Sequence, residues 1–268
     1  MFGFFKNKKD EDIEGICPVK EEKRLWLDEA FGWLIKAFDS DKIKNRSVFT
    51  PVTRYFPVKF NGEPEAALET MKIIAIQMEI NADEIHLDIY KQGVRELDTG
   101  GRTGGRIFMQ NVEGEKYAGG LYWGKQEDGK FHIGLEERKL KSSHDMIATL
   151  NHELAHVKLL GEGRIKENNE PLTDLTTIVF GLGIFNANAS FKTIRGYDSH
   201  GWSKLGYLSQ MDWGYALALY AHIRGEENPD WINYLAVNVK HDFKQSAKFI
   251  KNNPDKIMKK QEEKNENK

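Results

Sequence analysis

His152 and His156 stand four residues apart with Glu153 between them, in the run Asn151-His152-Glu153-Leu154-Ala155-His156. On a helix, side chains at i and i+4 project from one face. Two imidazoles so placed can share one Zn²⁺, and the glutamate beside them is left to handle the proton of a water. Ile147, Leu150, Leu154 and Val157 follow the 3-4-3 spacing of a buried stripe. His152, Glu153 and His156 lie off that stripe, so they are expected to look out of the core toward a cleft. Ser142 or Ser143 is the expected N-cap of this helix. The plain alternative is two helix histidines satisfied by neighbouring side chains.

A second polar cluster begins at Asn169-Glu170-Pro171-Leu172-Thr173-Asp174. Pro171 suits a first helical turn, where its missing N–H costs nothing. A helix is predicted from there to Gly181 or Gly183. Glu170 and Asp174 share one of its faces, and Leu175, Ile178, Val179 and Leu182 point elsewhere. A two-helix hairpin would set Glu170 against His152 and His156. That gives two imidazoles, one carboxylate and an open position, the donor set of a catalytic zinc site. Asp174 would then accept the N–H of a ligand histidine and fix its tautomer. Two readings compete with this one. Asp174 could itself be the third ligand, and acidic residues favour helix N-termini without any metal.

H-E-x-x-H followed by N-E-x-x-[ST]-D resembles the signature of the gluzincin metallopeptidases, the thermolysin-like enzymes among them. The resemblance covers about 25 residues, and the connection between the two motifs is shorter than in thermolysin. It implies Zn²⁺ held by His152, His156 and Glu170, Asp174 as the support of a ligand, and Glu153 as general base. The stretch from Glu170 to Phe185, with Gly206-Tyr207-Leu208-Ser209 and Gly214-Tyr215-Ala216-Leu217-Ala218, also resembles a bacterial protein family with the same motifs.

The chemistry expected of this set is hydrolysis of a peptide bond. Zinc in such a site lowers the pKa of a bound water toward ~7. Glu153 takes the proton of the attacking water and passes it to the leaving amine. A tetrahedral oxyanion needs a donor besides the metal. The resemblance implies a histidine or tyrosine further along the chain, and the candidates are His200, Tyr207 and Tyr215. Tyr215, on a helix with Ala216, Leu217 and Leu219, reads more readily as packing. His200, in Asp198-Ser199-His200-Gly201-Trp202, is expected on an irregular segment. His86, His132, His144, His222 and His241 have no partner motif and are set aside. Two other functions fit the motifs: a metal-binding sensor or scaffold that cleaves nothing, and a zinc hydrolase of small-molecule amides.

The elements that must position these residues read as follows. Helices are predicted over Leu25 to Phe38 and over Glu65 to Ile80, the latter anchored by Leu68, Ile73, Ile76 and Ile80. Glu84 to Tyr90 alternates Ile85, Leu87 and Ile89 with His86 and Asp88, a half-buried strand. Arg106 to Val112, Lys116 to Trp123 and Lys130 to Glu136 are further strands, the last two joined as a hairpin. The expected fold is a mixed α/β (α+β) zincin-like domain: a small mixed sheet packed on a metal-binding helix hairpin, with a helical C-terminal part. Its expected bounds are 21–250, between a flexible 1–20 and a disordered, charged 251–268. By analogy with zinc peptidases, an edge strand beside the cleft would bind substrate backbone. Thr99 to Arg106 is glycine-rich but lacks the Gly-Lys-[Ser/Thr] of a phosphate loop, and reads as a loop.

Composition limits the partners. With 39 basic and 41 acidic residues, the net charge is −2 and no strong field attracts nucleic acid or a membrane surface. No apolar run is long enough to span a bilayer, so stable membrane insertion is not expected. One cysteine, Cys17, leaves no internal disulfide framework and suits a cytoplasmic protein. The expected partner is a peptide or protein substrate. Oligomeric state is not legible.

Overall fold

The computed structural model describes residues 16–91, 95–98, 106–109, 120–190, 192–195, 200–203 and 207–258. For the strands at 95–98, 106–109, 192–195 and 200–203 only the backbone is described. The helices are α1 (Glu21–Phe38), α2 (Ser40–Asn45), α3 (Pro64–Gln77), α4 (Ser143–His156), α5 (Glu170–Val179), α6 (Gly183–Ala189), α7 (Gln210–Ile223) and α8 (Val237–Asn252). The strands are β1 (Ile85–Tyr90), β2 (Arg95–Asp98), β3 (Arg106–Met109), β4 (Gly120–Lys125), β5 (Phe131–Glu136), β6 (Lys192–Arg195) and β7 (His200–Ser203). The protein is mixed α/β. The span read from the sequence as one domain parts into two compact units, Met1–Ser47 with Tyr207–Lys268, and Val48–Gly206.

The first unit is helical. Ser209 and Asp212 form a capping box at the start of α7. Gly214 lets α7 and α8 approach closely, since a Cβ there would lie 2.5 Å from Asp242 Cβ. Tyr215 is fully buried and its hydroxyl donates to Asp28 on α1 at 2.7 Å, so its role is packing and not chemistry. Arg24 donates to Asp28 at 2.9 Å and to the Lys256 carbonyl at 2.8 Å. Residues 251–258, expected within a disordered tail, are ordered. α8 runs to Asn252, a 3₁₀ turn covers Pro254–Lys256, and the Met258 amide donates to Asp28. Residues 1–15 and 259–268 lie outside the description.

The second unit carries the motif helices. Its sheet has the order β1-β5-β4, with β1 parallel and β4 antiparallel to β5. β5 buries Phe131, Ile133 and Leu135, and α4 packs on β4 and β5. Helices α3, α5 and α6 pack around α4. α4 is consequently buried on nearly every side, with Ile147, Leu150, Leu154 and Val157 all inaccessible. The second helix of the sequence reading, expected to end at Gly181 or Gly183, ends at Val179; Gly181 turns at φ 76°, and a separate helix, α6, starts at Gly183.

One sequence expectation is corrected in this unit. α3 buries Ala67, Met71, Ile74, Ala75 and the following Met78, while Leu68 and Ile76 are 41% and 72% exposed. With apolar residues on both faces of α3, spacing alone did not identify the phase that packs on α4. β2 and β3 form an antiparallel pair, and β2 was not foreseen. The glycine-rich stretch 99–105 lies outside the described residues. Among the described residues no helix is long and apolar enough to cross a membrane.

Candidate metal centre

The Ser142 hydroxyl caps α4, accepting from the Asp145 amide. The helix presents His152, Glu153 and His156 toward α5 and β4. Directly after His156 it widens into a π-turn, Val157–Gly161, a deformation that recurs beside functional sites. Asn151 locks the opposite face: its amide donates to Asn186 Oδ1 at 3.0 Å, and Asn186 donates to the Ala148 carbonyl at 2.8 Å. The motif helix is thus held against α6 by buried polar pairs, each of which leaves an unsatisfied group if broken.

α5 brings its first residue to the histidines. The Asn169 side chain caps the helix by accepting from the Leu172 amide at 3.1 Å, and Pro171 occupies the first turn. Glu170 Oε2 lies 2.9 Å from His152 Nε2 and 3.5 Å from His156 Nε2. Its other oxygen accepts from Asn168 Nδ2 at 2.7 Å. One atom each from His152, His156 and Glu170 therefore converge within 4.8 Å of one another, a spacing that could hold a metal ion.

The far side of each ring sets its tautomer. His152 Nδ1 lies 2.9 Å from Asp174 Oδ1, and Asp174 is buried. Thr173 Oγ1 donates to the Asn169 carbonyl at 3.0 Å and lies 3.4 Å from His156 Nδ1, from which it can accept. Where both Nδ1 atoms donate outward, as metal ligation requires, the two Nε2 atoms present their lone pairs to the point shared with Glu170. Asp174 is on the outer side of His152 and outside the converging set, so Glu170 is the carboxylate that faces both Nε2 atoms.

Electrostatics follow from burial and contact. Burial disfavours charge on His152, but hydrogen bonds to Asp174 and Glu170 outweigh it and raise its pKa well above the ordinary histidine value. Burial lowers His156. Glu170 pays a desolvation penalty, yet its hydrogen bonds to His152 and His156 hold its carboxyl far below the usual range. Burial pushes Glu153 up to about 7, with the charge of Glu170 adding to the rise and His152 opposing it. Glu153 is 5% exposed and is not among the converging atoms.

β4 supplies the wall beside Glu153. A Cβ on Gly120 would lie 2.3 Å from Glu153 Oε1 and 2.6 Å from Thr149 Cγ2, so only glycine fits there without displacing them. Two residues on, Tyr122 stacks on His156 with ring centroids 5.7 Å apart and planes at 16°. Gly120, Tyr122, Asn168 and Thr173 belong to the site and were missed in the sequence. Only Thr173 had a signal, as the [ST] of the second motif.

Comparison with known protein families, with curated proteins and with solved structures finds no match to this chain. Function must therefore be read from the site.

Tyr207 belongs to the other unit, on the approach to α7, and is 56% exposed. His200 opens strand β7, paired with Arg195 of β6, and not an irregular segment. Its side chain lies outside the description.

Proposed function

We propose that this protein is a zinc-dependent peptidase with a gluzincin-type centre in a zincin-like domain. One observation carries the reading. A buried carboxyl, Glu153, stands beside a converging His₂Glu set without joining it. A structural metal site has no use for such a group, because a fourth protein ligand would close the coordination. The donor set fits zinc: two imidazole nitrogens and one carboxylate oxygen match its borderline character. When bound, zinc would act as a Lewis acid and lower the pKa of water.

The chain's own residues supply the rest. His152 Nε2, His156 Nε2 and Glu170 Oε2 would hold the ion, with Asp174 and Thr173 keeping both rings oriented. Glu153 accepts the proton of the attacking water and returns it to the leaving amine. Gly120 leaves the room its carboxylate needs. Substrate backbone would add along β4, which pairs only with β5 among the described residues and carries Gly120 and Tyr122 beside the motif helix. Strand addition gives backbone affinity with little demand on side-chain identity.

Metal analysis of the purified protein, paired with a peptide-library digest with and without chelator, tests the proposal. Chelator-sensitive cleavage of peptides is the expected result. Zinc binding with no cleavage across a diverse library would favour a metal sensor or scaffold. Cleavage confined to small amides would redirect the substrate class.

A further inference from the structure

The five histidines without a partner motif include two that the sheet brings together. β1 and β5 are parallel, with His86 opposite His132 and Asp88 opposite Gly134. In a parallel pair, register partners point to the same face. The rings of His86 and His132 are accordingly stacked, with centroids 4.4 Å apart and planes at 24°. This face is the outer one, because Phe131, Ile133 and Leu135 take the buried positions of β5. Two carboxylates close on the pair. Asp88 lies 3.2 Å from His86 Nε2 and 3.7 Å from His132 Nδ1. Asp128, in the turn between β4 and β5, lies 3.0 Å from His132 Nε2, and its other oxygen accepts from the Lys130 amide at 2.9 Å.

Both nitrogens of His132 therefore face carboxylate oxygens. A neutral imidazole has one N–H, so one of its lone pairs would oppose a carboxylate. A divalent cation would relieve that opposition. A single such ion would satisfy imidazoles and carboxylates together. The ligand atoms of His86, Asp128 and His132 lie within 4.8 Å of one another. Mixed nitrogen and oxygen donors favour first-row transition ions over Mg²⁺ or Ca²⁺, which prefer oxygen alone.

We propose that the outer face of the sheet carries a second cation site, for a divalent transition-metal ion, built from His86, His132 and Asp128 with Asp88 in support. The bound ion clamps the β4–β5 turn to β1. It thereby stiffens the strand that holds Gly120 and Tyr122 beside Glu153 and His156. The site stands on its own residues and does not depend on the centre at His152 being catalytic.

The test is calorimetric titration of the full chain with Zn²⁺, and separately with Ni²⁺, in a His152→Ala/His156→Ala background that removes the other centre. One ion per chain should still bind, and it should raise the unfolding midpoint. His132→Gln in that background should abolish both the binding and the midpoint shift. Asp128→Asn, which keeps the turn's hydrogen bond to Lys130, should weaken them, and circular dichroism confirms that each variant is folded. No bound ion in the parent background would leave a charged His–Asp network only and overturn the proposal. So would binding that survives both substitutions. Neither result bears on peptide cleavage by the unaltered protein.

Discussion

Gly120 on β4 and Glu153 on α4 are so close that the backbone of one is shaped around the carboxylate of the other: a Cβ at Gly120 would lie 2.3 Å from Glu153 Oε1. The contact joins the sheet edge to the expected general base. Gly120→Ala should shift that carboxylate without removing it. Peptide hydrolysis should fall on the order of 10²-fold, the usual effect of a misplacement near 1 Å. Zinc content should stay at the wild-type level. Undiminished turnover in Gly120→Ala would detach Glu153's position from the rate.

Glu153→Gln keeps the size of the side chain but cannot take a proton. Hydrolysis should drop by ~10²–10⁴ with zinc content intact. Steady-state kinetics on any peptide cut in a chelator-sensitive way measures this. A variant as fast as wild type would remove Glu153 from the mechanism.

Ligand substitutions should rank by contact. His152→Ala, His156→Ala and Glu170→Ala should each lose the tightly bound zinc, because each contributes one of the converging atoms. Asp174→Ala and Thr173→Val only free the outer nitrogen of a ring, and should weaken affinity by ~10–100-fold. Competition with a chromophoric chelator reads the ranking. A larger loss for Asp174→Ala than for Glu170→Ala would exchange their roles.

The pH dependence of stability in chelator-stripped protein has a definite sign. Glu153 has its folded pKa raised from 4.5 to about 7, so the folded state binds more protons than the unfolded one across that window. Its contribution therefore falls as pH rises from about 4.5 to about 7. His152 is also raised; its contribution is full below its unfolded value near 6.5 and is lost as pH climbs through the folded one. His156 is lowered and works oppositely, gaining stability as pH rises toward 6.5. Glu153→Gln isolates the first of these. Compared with wild type, that variant should gain in unfolding midpoint between pH 5 and 8. A constant difference over that range would contradict the raised pKa.

Some of this was legible in the residues. The spacing of His152, Glu153 and His156 fixed a shared helix face, and Pro171 marked where the next helix begins. Local rules suffice there, since helical periodicity and capping act over four residues or fewer. The alternation of Ile85, Leu87 and Ile89 marked β1 for the same reason. The packed phase of α3 was not legible, because apolar residues occur on both of its faces and only contact with α4 selects one. The choice of Glu170 over Asp174 as the inner carboxylate also required the tertiary structure, since both share a helix face and only the crossing of α5 over α4 decides which reaches both Nε2 atoms. Gly120 and the His86/His132 pair gave no signal at all. Their meaning lies in strand register and in the approach of a sheet edge to a helix, contacts between residues some 30 to 46 positions apart, which no local pattern encodes.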